Sequence, residues 1–528
     1  MTARRAGLVA LAVTLSWPGG ANAALETVLQ DDANLIHRPT EQVRASMQRI
    51  RALGIDRVRL TANWSVLTRD GDARLQPEGF DAADPAAYEQ ARWRGLDQAV
   101  ALAHQTGLRV LLDIGFWAPR WATTDGPGGR ARTNVRSAAF ADFAVAVAQR
   151  YSGRFAPAPE ATAPTPPPPQ DQTFLEALLG GGDPPAVPPP PPPGPLDRVE
   201  QFALWNEPNH PGLLLPQWIG RGRDARAASP AIYGRMIRAA YPAAKRARPD
   251  AAFLIGNTSS TGDIGRSTVP PLRFIRELAC VNRALRPLRT GPCAAFTQVP
   301  GDGWAHHPYN RNQRPDTRSP HFAPDDVLLG DLGRLSRLLR RLVAKGRLAP
   351  GLRQIHLTEF GFETRKIGSR PKVGFNDQGR WLTWAEYLSD RVPGVVSFAQ
   401  FLLRDQPPAP VRVSDSSSRP FGQYYTGLQT TEGVDKPAAK TFTAGLFADR
   451  RRNGTDLLWG RLRLGAGPRD IVIERRRRDG RWVALKALRI DGQQAFTRIV
   501  RARPAARYRL RWPLPDGTTT TGVVISPR

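Results

Sequence analysis

Between residue 25 and about residue 446 the chain alternates two patterns. Short β-like runs read as strands, and longer stretches with apolar residues every three or four positions read as amphipathic helices. The strands expected are "ETVLQ" (26–30), "RVRLT" (57–61), "RVLLDIG" (109–115), "QFALWN" (201–206), "AFLIGN" (252–257), "GWAHH" (303–307), "QIHLTEF" (354–360) and "VVSFAQF" (395–401). Helical patterns such as "EQVRASMQRIRALG", "WRGLDQAVALAHQTG", "SAAFADFAVAVAQRYSG" and "DVLLGDLGRLSRLLRRLVAKG" fall between them. Eight such units in succession predict an α/β fold, a (β/α)8 or TIM barrel. An open doubly wound sheet is disfavoured, because no Gly-x-Gly-x-x-Gly follows an early strand.

Two breaks in this rhythm set the domain boundaries. Residues 156–196, "APAPEATAPTPPPPQDQTFLEALLGGGDPPAVPPPPPPGPL", hold too much proline for a packed core. They read as a solvated insertion of polyproline II character, a spacer or else a ligand for a proline-recognition module, with "TFLEALL" a turn or two of helix. After residue 450 the stretches "DLLWGRLRL", "DIVIERRRR", "RWVALKAL", "YRLRWPL" and "TGVVIS" follow one another across turns such as Arg478-Asp479-Gly480 and Pro515-Asp516-Gly517. Residues 451–528 are therefore expected to form a small all-β sandwich, a scaffold or a carbohydrate-binding unit, behind a barrel spanning 24–450.

With 528 residues and 41% hydrophobic content the chain can bury a large core, which excludes a disordered protein. At the N-terminus, Arg4 and Arg5 precede an apolar run from Gly7 to Trp17 and the small-x-small triplet Ala21-Asn22-Ala23. Residues 1–23 read as a secretory signal peptide; a membrane anchor is the alternative, but the run falls short of the roughly 20 residues a span needs. A secreted protein follows, with no stable membrane insertion after signal cleavage. Export would make Cys280 and Cys293 a disulfide, two free thiols being the other reading. Two cysteines and seven histidines show no structural zinc spacing, and no metal is expected.

The net charge of +28, from 75 Lys and Arg against 47 Asp and Glu, could draw anionic glycans, cell walls or nucleic acid. The arginines are instead spread over nearly every expected helix and are not gathered with aromatics into one stripe. No nucleic-acid partner is expected, and the charge by itself names none; a monomer is the expectation.

In a barrel of this kind the side chains at the C-terminal strand ends share one pocket. The stretch "FALWNEPNHPG" turns abruptly polar at Asn206-Glu207-Pro208, and Pro208 stops the strand because it has no N–H for the ladder. The strand "QIHLTEFGFET" ends at Glu359, with Glu363 as a rival acid four residues on. Two carboxylates facing each other across a barrel mouth are the requirement for double displacement at a sugar carbon, where one protonates the leaving oxygen and the other attacks.

On these motifs residues 25 to about 446 resemble the glycoside hydrolases of clan A, in the manner of families 5 and 39, whose barrels carry Asn-Glu-Pro after strand 4 and a nucleophilic glutamate after strand 7. The resemblance implies Glu207 as acid/base, Glu359 as nucleophile, and Asn206 as a hydrogen-bond partner of the reacting sugar's 2-hydroxyl. It also matches Arg59, in "VRLTANW", to an arginine that keeps the nucleophile ionised, and Tyr309, in "HHPY", to a donor touching the same carboxylate. Unequal environments must then separate the two acids, with Arg59 and Tyr309 stabilising charge on Glu359 and its field raising Glu207. Trp64 and Trp117, near strand ends, are expected as pocket walls stacking on sugar. Strand 8 departs from the clan, with Gln400 and Phe401 where a tryptophan often lies.

The reading that follows is a secreted retaining glycoside hydrolase cleaving a β-linked oligo- or polysaccharide without a cofactor. A non-catalytic glycan-binding barrel and a transglycosylase using the same residues remain the alternatives.

Overall fold

A computed structural model describes residues 25–528 apart from 70, 125–130, 159–193, 221–224, 366–371, 408–423, 466, 492–493 and 515–516. The expected signal peptide and most of the proline-rich insertion lie outside the described residues.

Eight parallel strands close into a barrel: β1 (Glu26–Gln30), β2 (Arg57–Ala62), β3 (Arg109–Ile114), β4 (Gln201–Leu204), β5 (Ala252–Ser259), β6 (Gly303–His307), β7 (Ile355–Leu357) and β8 (Val395–Phe401). Each pairs with the strands before and after it, and β8 returns to β1 with Glu26 opposite Ser397 and Gln30 opposite Phe401. A helix follows every strand: α1 (Thr40–Ala52), α2 (Arg94–Gln105), α3 (Ser137–Arg150), α4 (Ser229–Ala247), α5 (Pro271–Leu278), α6 (Leu332–Ala344), α7 (Phe375–Asp390) and α8 (Pro437–Thr443).

Side-chain parity along the strands decides what each residue can do. Val58, Leu60, Val110, Leu112, Phe202, Phe253, Ile255 and Trp304 join the large core that also takes in the helices. The intervening Leu111, Ala203, Leu254 and Ala305 form a separate small cluster, which is the filling of the barrel. The helices show the complementary pattern. On α6, Leu332, Leu335, Leu339 and Leu342 are buried while Arg337, Arg340 and Arg341 are exposed, so much of the chain's arginine sits on outer helix faces.

Two antiparallel sheets follow α8. One contains β9 (Ala444–Arg450), β10 (Thr455–Leu462) and β13 (Ala495–Arg501); the other contains β11 (Pro468–Arg476), β12 (Trp482–Asp491), β14 (Tyr508–Pro513) and β15 (Thr519–Thr521). Leu446, Leu458 and Phe496 of the first pack with Ile471, Ile473, Leu488 and Leu510 of the second, which makes a sandwich. Its first strand, β9, begins at Ala444, before the boundary expected at 451, and "TGVVIS" contributes only Thr521 to a strand. The reason is pairing: Phe447 lies opposite Trp459 in a continuous ladder with β10.

Barrel and sandwich meet through α7. Glu386 accepts from Arg461 at 2.7 Å and is also bonded by Arg463, both on or just beyond β10, while Tyr387 stacks on Phe447 at 4.6 Å. Cys280 and Cys293 form a disulfide beyond the end of α5. No helix among the described residues is long and apolar enough to cross a membrane.

Candidate active site

Glu207 and Glu359 both lie just past the C-terminal ends of their strands, β4 and β7, and an oxygen of each comes within 4.8 Å of the other. Strict alternation from Ala203 would aim Trp205 into the barrel. Instead Trp205 (φ 71°) and Glu207 (φ 37°) take left-handed conformations that cost L-residues of the order of 1–3 kcal/mol each. The indole of Trp205 thereby turns out to meet Phe140 of α3, edge to face at 5.4 Å, and Asn206 and Glu207 take the inward positions. The turn is held because the Glu207 N–H donates to the Asn257 carbonyl at 3.1 Å, and Asn257 Nδ2 donates to the Trp205 carbonyl at 2.8 Å.

Arg59, on β2 and fully buried, is the hub. Its guanidinium donates to Glu359 Oε1 at 2.6 Å, Asp113 Oδ2 at 2.9 Å and Asn206 Oδ1 at 2.8 Å, and bonds Gln30 as well. Asp113, at the end of β3, also accepts from Asn257 at 3.0 Å. Burial pushes the Asp113 carboxyl up to about 6 even though Arg59 opposes the rise. Tyr309 donates its hydroxyl to Glu359 Oε2 at 3.3 Å, and burial together with the neighbouring Glu359 charge holds that phenol well above its ordinary range. The side chains of Glu207 and Glu359 are 18% and 12% exposed, at the edge of an otherwise closed network.

His307 changes the electrostatics expected from the sequence. Its Nδ1 lies 2.9 Å from Glu207 Oε1 and 3.7 Å from Glu359 Oε2, and the ring is fully buried. Burial alone raises the Glu207 carboxyl, but the hydrogen bond and charge of His307 outweigh it, with His210 and Arg59 adding to the effect, and the net shift is downward. The upward shift expected from the field of Glu359 is therefore corrected: the net shift is downward. A donor that favours the charged form lies 2.9 Å from Glu207, within hydrogen-bond distance.

The structure brings together Glu207, Glu359, Asn206, Arg59 and Tyr309. Glu363 is engaged elsewhere, accepting the Tyr425 N–H at 2.7 Å. Trp64 and Trp117 do not wall an open pocket. Trp64 is fully buried, stacked on Phe143 at 5.2 Å and edge-on to Trp121 at 6.0 Å. Trp117 is 1% exposed and donates its indole N–H to the Gly212 carbonyl at 2.9 Å. Each ring is covered by chain that follows the next strand, Trp64 by Trp121, Phe140 and Phe143 beyond β3 and Trp117 by Gly212 and Leu213 beyond β4. On β8, Gln400 is buried and donates to three backbone carbonyls, of Phe401, Leu402 and Thr426, while Phe401 meets the Tyr309 ring edge to face at 6.4 Å.

Sequence reasoning missed His307, Asp113, Asn257 and Gln30. Each is a polar residue at the C-terminal end of an apolar strand, and parity picks out His307 in particular. Ala305 faces the barrel filling, so His307 does too, while His306 points outward to Thr258 and the Val327 carbonyl. Glu207, His307 and Glu359 could together ligate a cation, but the Arg59 guanidinium already supplies fixed positive charge to Glu359 and opposes a second cation there.

No protein-family model matches the sequence, and no curated protein matches it. Among solved structures, the chain is similar to a glucosidase from Croceicoccus marinus (12% identity, TM-score 0.43, covering 91% of this chain and 97% of that one). It is also similar to a GH5_18 from Bifidobacterium longum subsp. infantis (16% identity, TM-score 0.42, 79% and 77%) and to the exo-beta-1,4-mannosidase Op5Man5 from Opitutaceae bacterium strain TAV5 (14% identity, TM-score 0.41, 79% and 58%). Likeness at this level adds nothing to the barrel topology described above.

Proposed function

We propose that this chain is a retaining glycoside hydrolase acting on a β-linked saccharide, with Glu359 as nucleophile and Glu207 as acid/base. The observation that carries the reading is the pair of glutamates, from β4 and β7, with oxygens no more than 4.8 Å apart and only one of them paired to a buried arginine. Double displacement works with carboxyl groups about 5–5.5 Å apart, whereas the inverting route needs about 6.5–9.5 Å to admit a water.

In the first step Glu359, held by hydrogen bonds from Arg59 and Tyr309, attacks the anomeric carbon as the glycosidic C–O bond breaks, and Glu207 gives its proton to the leaving oxygen. In the second, Glu207 takes a proton from water, whose oxygen displaces Glu359 from the sugar. The free-site pKa of Glu207 fits this cycle once substrate is considered. A sugar over the mouth removes the carboxyl's remaining contact with water, which raises it, and esterification of Glu359 then removes a neighbouring charge, which lowers it again. Residues 1–23 as a secretory signal agree with the disulfide, since disulfides persist in oxidising compartments.

The test is the anomeric configuration of the first product, followed by proton NMR on aryl β-glycosides and plant, fungal and bacterial wall polysaccharides, with and without a chelator. Release of the β anomer, unaffected by the chelator, is expected. Release of the α anomer first, or no turnover of any glycoside, overturns the proposal.

A further inference from the structure

We infer that the cavity between the loops after β5 and β6 is a distal saccharide subsite, binding a sugar unit of the substrate away from the cleaved bond; this rests on the glycosidase reading above. The cavity has a volume of about 450 Å3 and is lined by Ile264, Arg311, Phe322 and Asp326 among others. That is within the range of small-ligand pockets. The lining residues follow the C-terminal ends of β5 and β6, the end of the barrel that also carries both glutamates.

Its two walls are tied to the catalytic segments. Asn209, two residues after Glu207, accepts the Ser259 N–H at 2.9 Å and donates to Ser259 Oγ and the Val269 carbonyl, each at 3.0 Å, which pins the loop after β5. Arg311 lies two residues after Tyr309. Asn312 Oδ1 accepts the N–H of Glu363, in the loop after Glu359, at 2.9 Å. Arg311 (φ 57°) and Asn312 (φ 60°) are consecutive non-glycine residues in the left-handed region, a conformation that persists only where surroundings impose it.

The lining has the two faces that a sugar ring has. Phe322 is 87% exposed and Ile264 53% exposed, so apolar surface stands ready for the C–H face of a pyranose. Asp326, 3% exposed, accepts the Gly262 N–H on Oδ1 at 2.9 Å, and no described residue hydrogen-bonds its Oδ2. Burial pushes the Asp326 carboxyl up to about 6, a rise that the Gly262 N–H and the nearby Arg311 oppose. A carboxylate acceptor and a guanidinium donor beside an exposed ring suit hydroxyls at a sugar's rim. The neighbouring Asp325 is held bidentate by Arg276, at 2.6 and 3.0 Å, and takes no part.

The experiment compares kcat/KM on an aryl β-monoglycoside with that on matching β-linked oligosaccharides of increasing length, for the wild type, Phe322→Ala and Ile264→Ala. Both side chains are exposed, so neither change threatens folding. The rate on oligosaccharides should rise with length. The ratio of long-chain to aryl-glycoside kcat/KM should fall about fivefold in Phe322→Ala, the loss of one aromatic contact. Asp326→Asn should depress the same ratio. If the aryl glycoside is cleaved but the rate ignores chain length, or the ratio is unchanged in both Phe322→Ala and Asp326→Asn, the subsite is overturned and the glycosidase reading stands. If no glycoside is cleaved, both fall.

Discussion

His307 Nδ1 stands 2.9 Å from Glu207 Oε1, so the acid at the end of β4 is hydrogen-bonded to an imidazole from the end of β6. The contact opposes the effect of burial on Glu207 and sets the net direction of its shift. Replacing His307 by Phe removes the donor and leaves burial to govern. Glu207 should then titrate higher than in the wild type, read as the carboxyl 13C shift against pH. An unmoved or lower titration would show that His307 does not hold the proton balance of this site.

The two glutamates should fail differently. Glu207→Gln should lose about 10²- to 10⁴-fold on substrates with poor leaving groups, yet still form its glycosyl-enzyme from an activated aryl glycoside, with azide able to resolve it. Glu359→Gln should form no covalent intermediate with any substrate, as mass spectrometry would report. Equal and complete loss with every substrate would contradict the roles given to them.

Glu386 joins barrel and sandwich and predicts how stability depends on pH. Burial raises its carboxyl, but Arg463 and Arg461 outweigh that and hold it below its ordinary value of 4.5. A depressed folded-state value means that its contribution is fully present above 4.5 and is lost as pH falls through the folded value. Glu386→Gln should destabilise the protein by about 3 kcal/mol at neutral pH, because two buried guanidinium groups lose their shared anion. The gap in Tm between the two proteins should narrow as the medium is acidified below 4.5. A gap that widens in acid would refute the assignment.

The proline-rich insertion enters and leaves between α3 and β4, at the end of the barrel opposite the glutamates. Its flanks are already joined, since the Leu196 N–H donates to the Phe155 carbonyl and the Val199 N–H to the Tyr151 carbonyl, each at 2.9 Å. Replacing residues 158–195 with a short Gly/Ser linker should leave kcat/KM on a soluble substrate within about twofold and stability unchanged. A large loss of turnover in a folded variant would place the insertion at the cleft.

The sequence by itself determined the eight-strand barrel, because periods of two and of three to four residues are local properties of the chain and each unit repeats them. It also marked Glu207 and Glu359, acids that end strands and so emerge at the rim, while Asn206, Arg59 and Tyr309 were marked only by the resemblance to clan A glycoside hydrolases. Tertiary structure alone decided the rest. That His307 sits between the two acids depends on barrel closure bringing the ends of β4, β6 and β7 to one mouth, a relation between residues 100 positions apart. That Asp113 shares Arg59 with Glu359 joins β2, β3 and β7 across the barrel axis. Trp64 and Trp117 show the converse: position near a strand end is legible, but which way a ring turns depends on the helices and loops that cover it. Hydrophobic pattern is set one residue at a time, whereas charge balance in a buried site is set by every group within a few ångströms, and only the closed barrel brings those groups together.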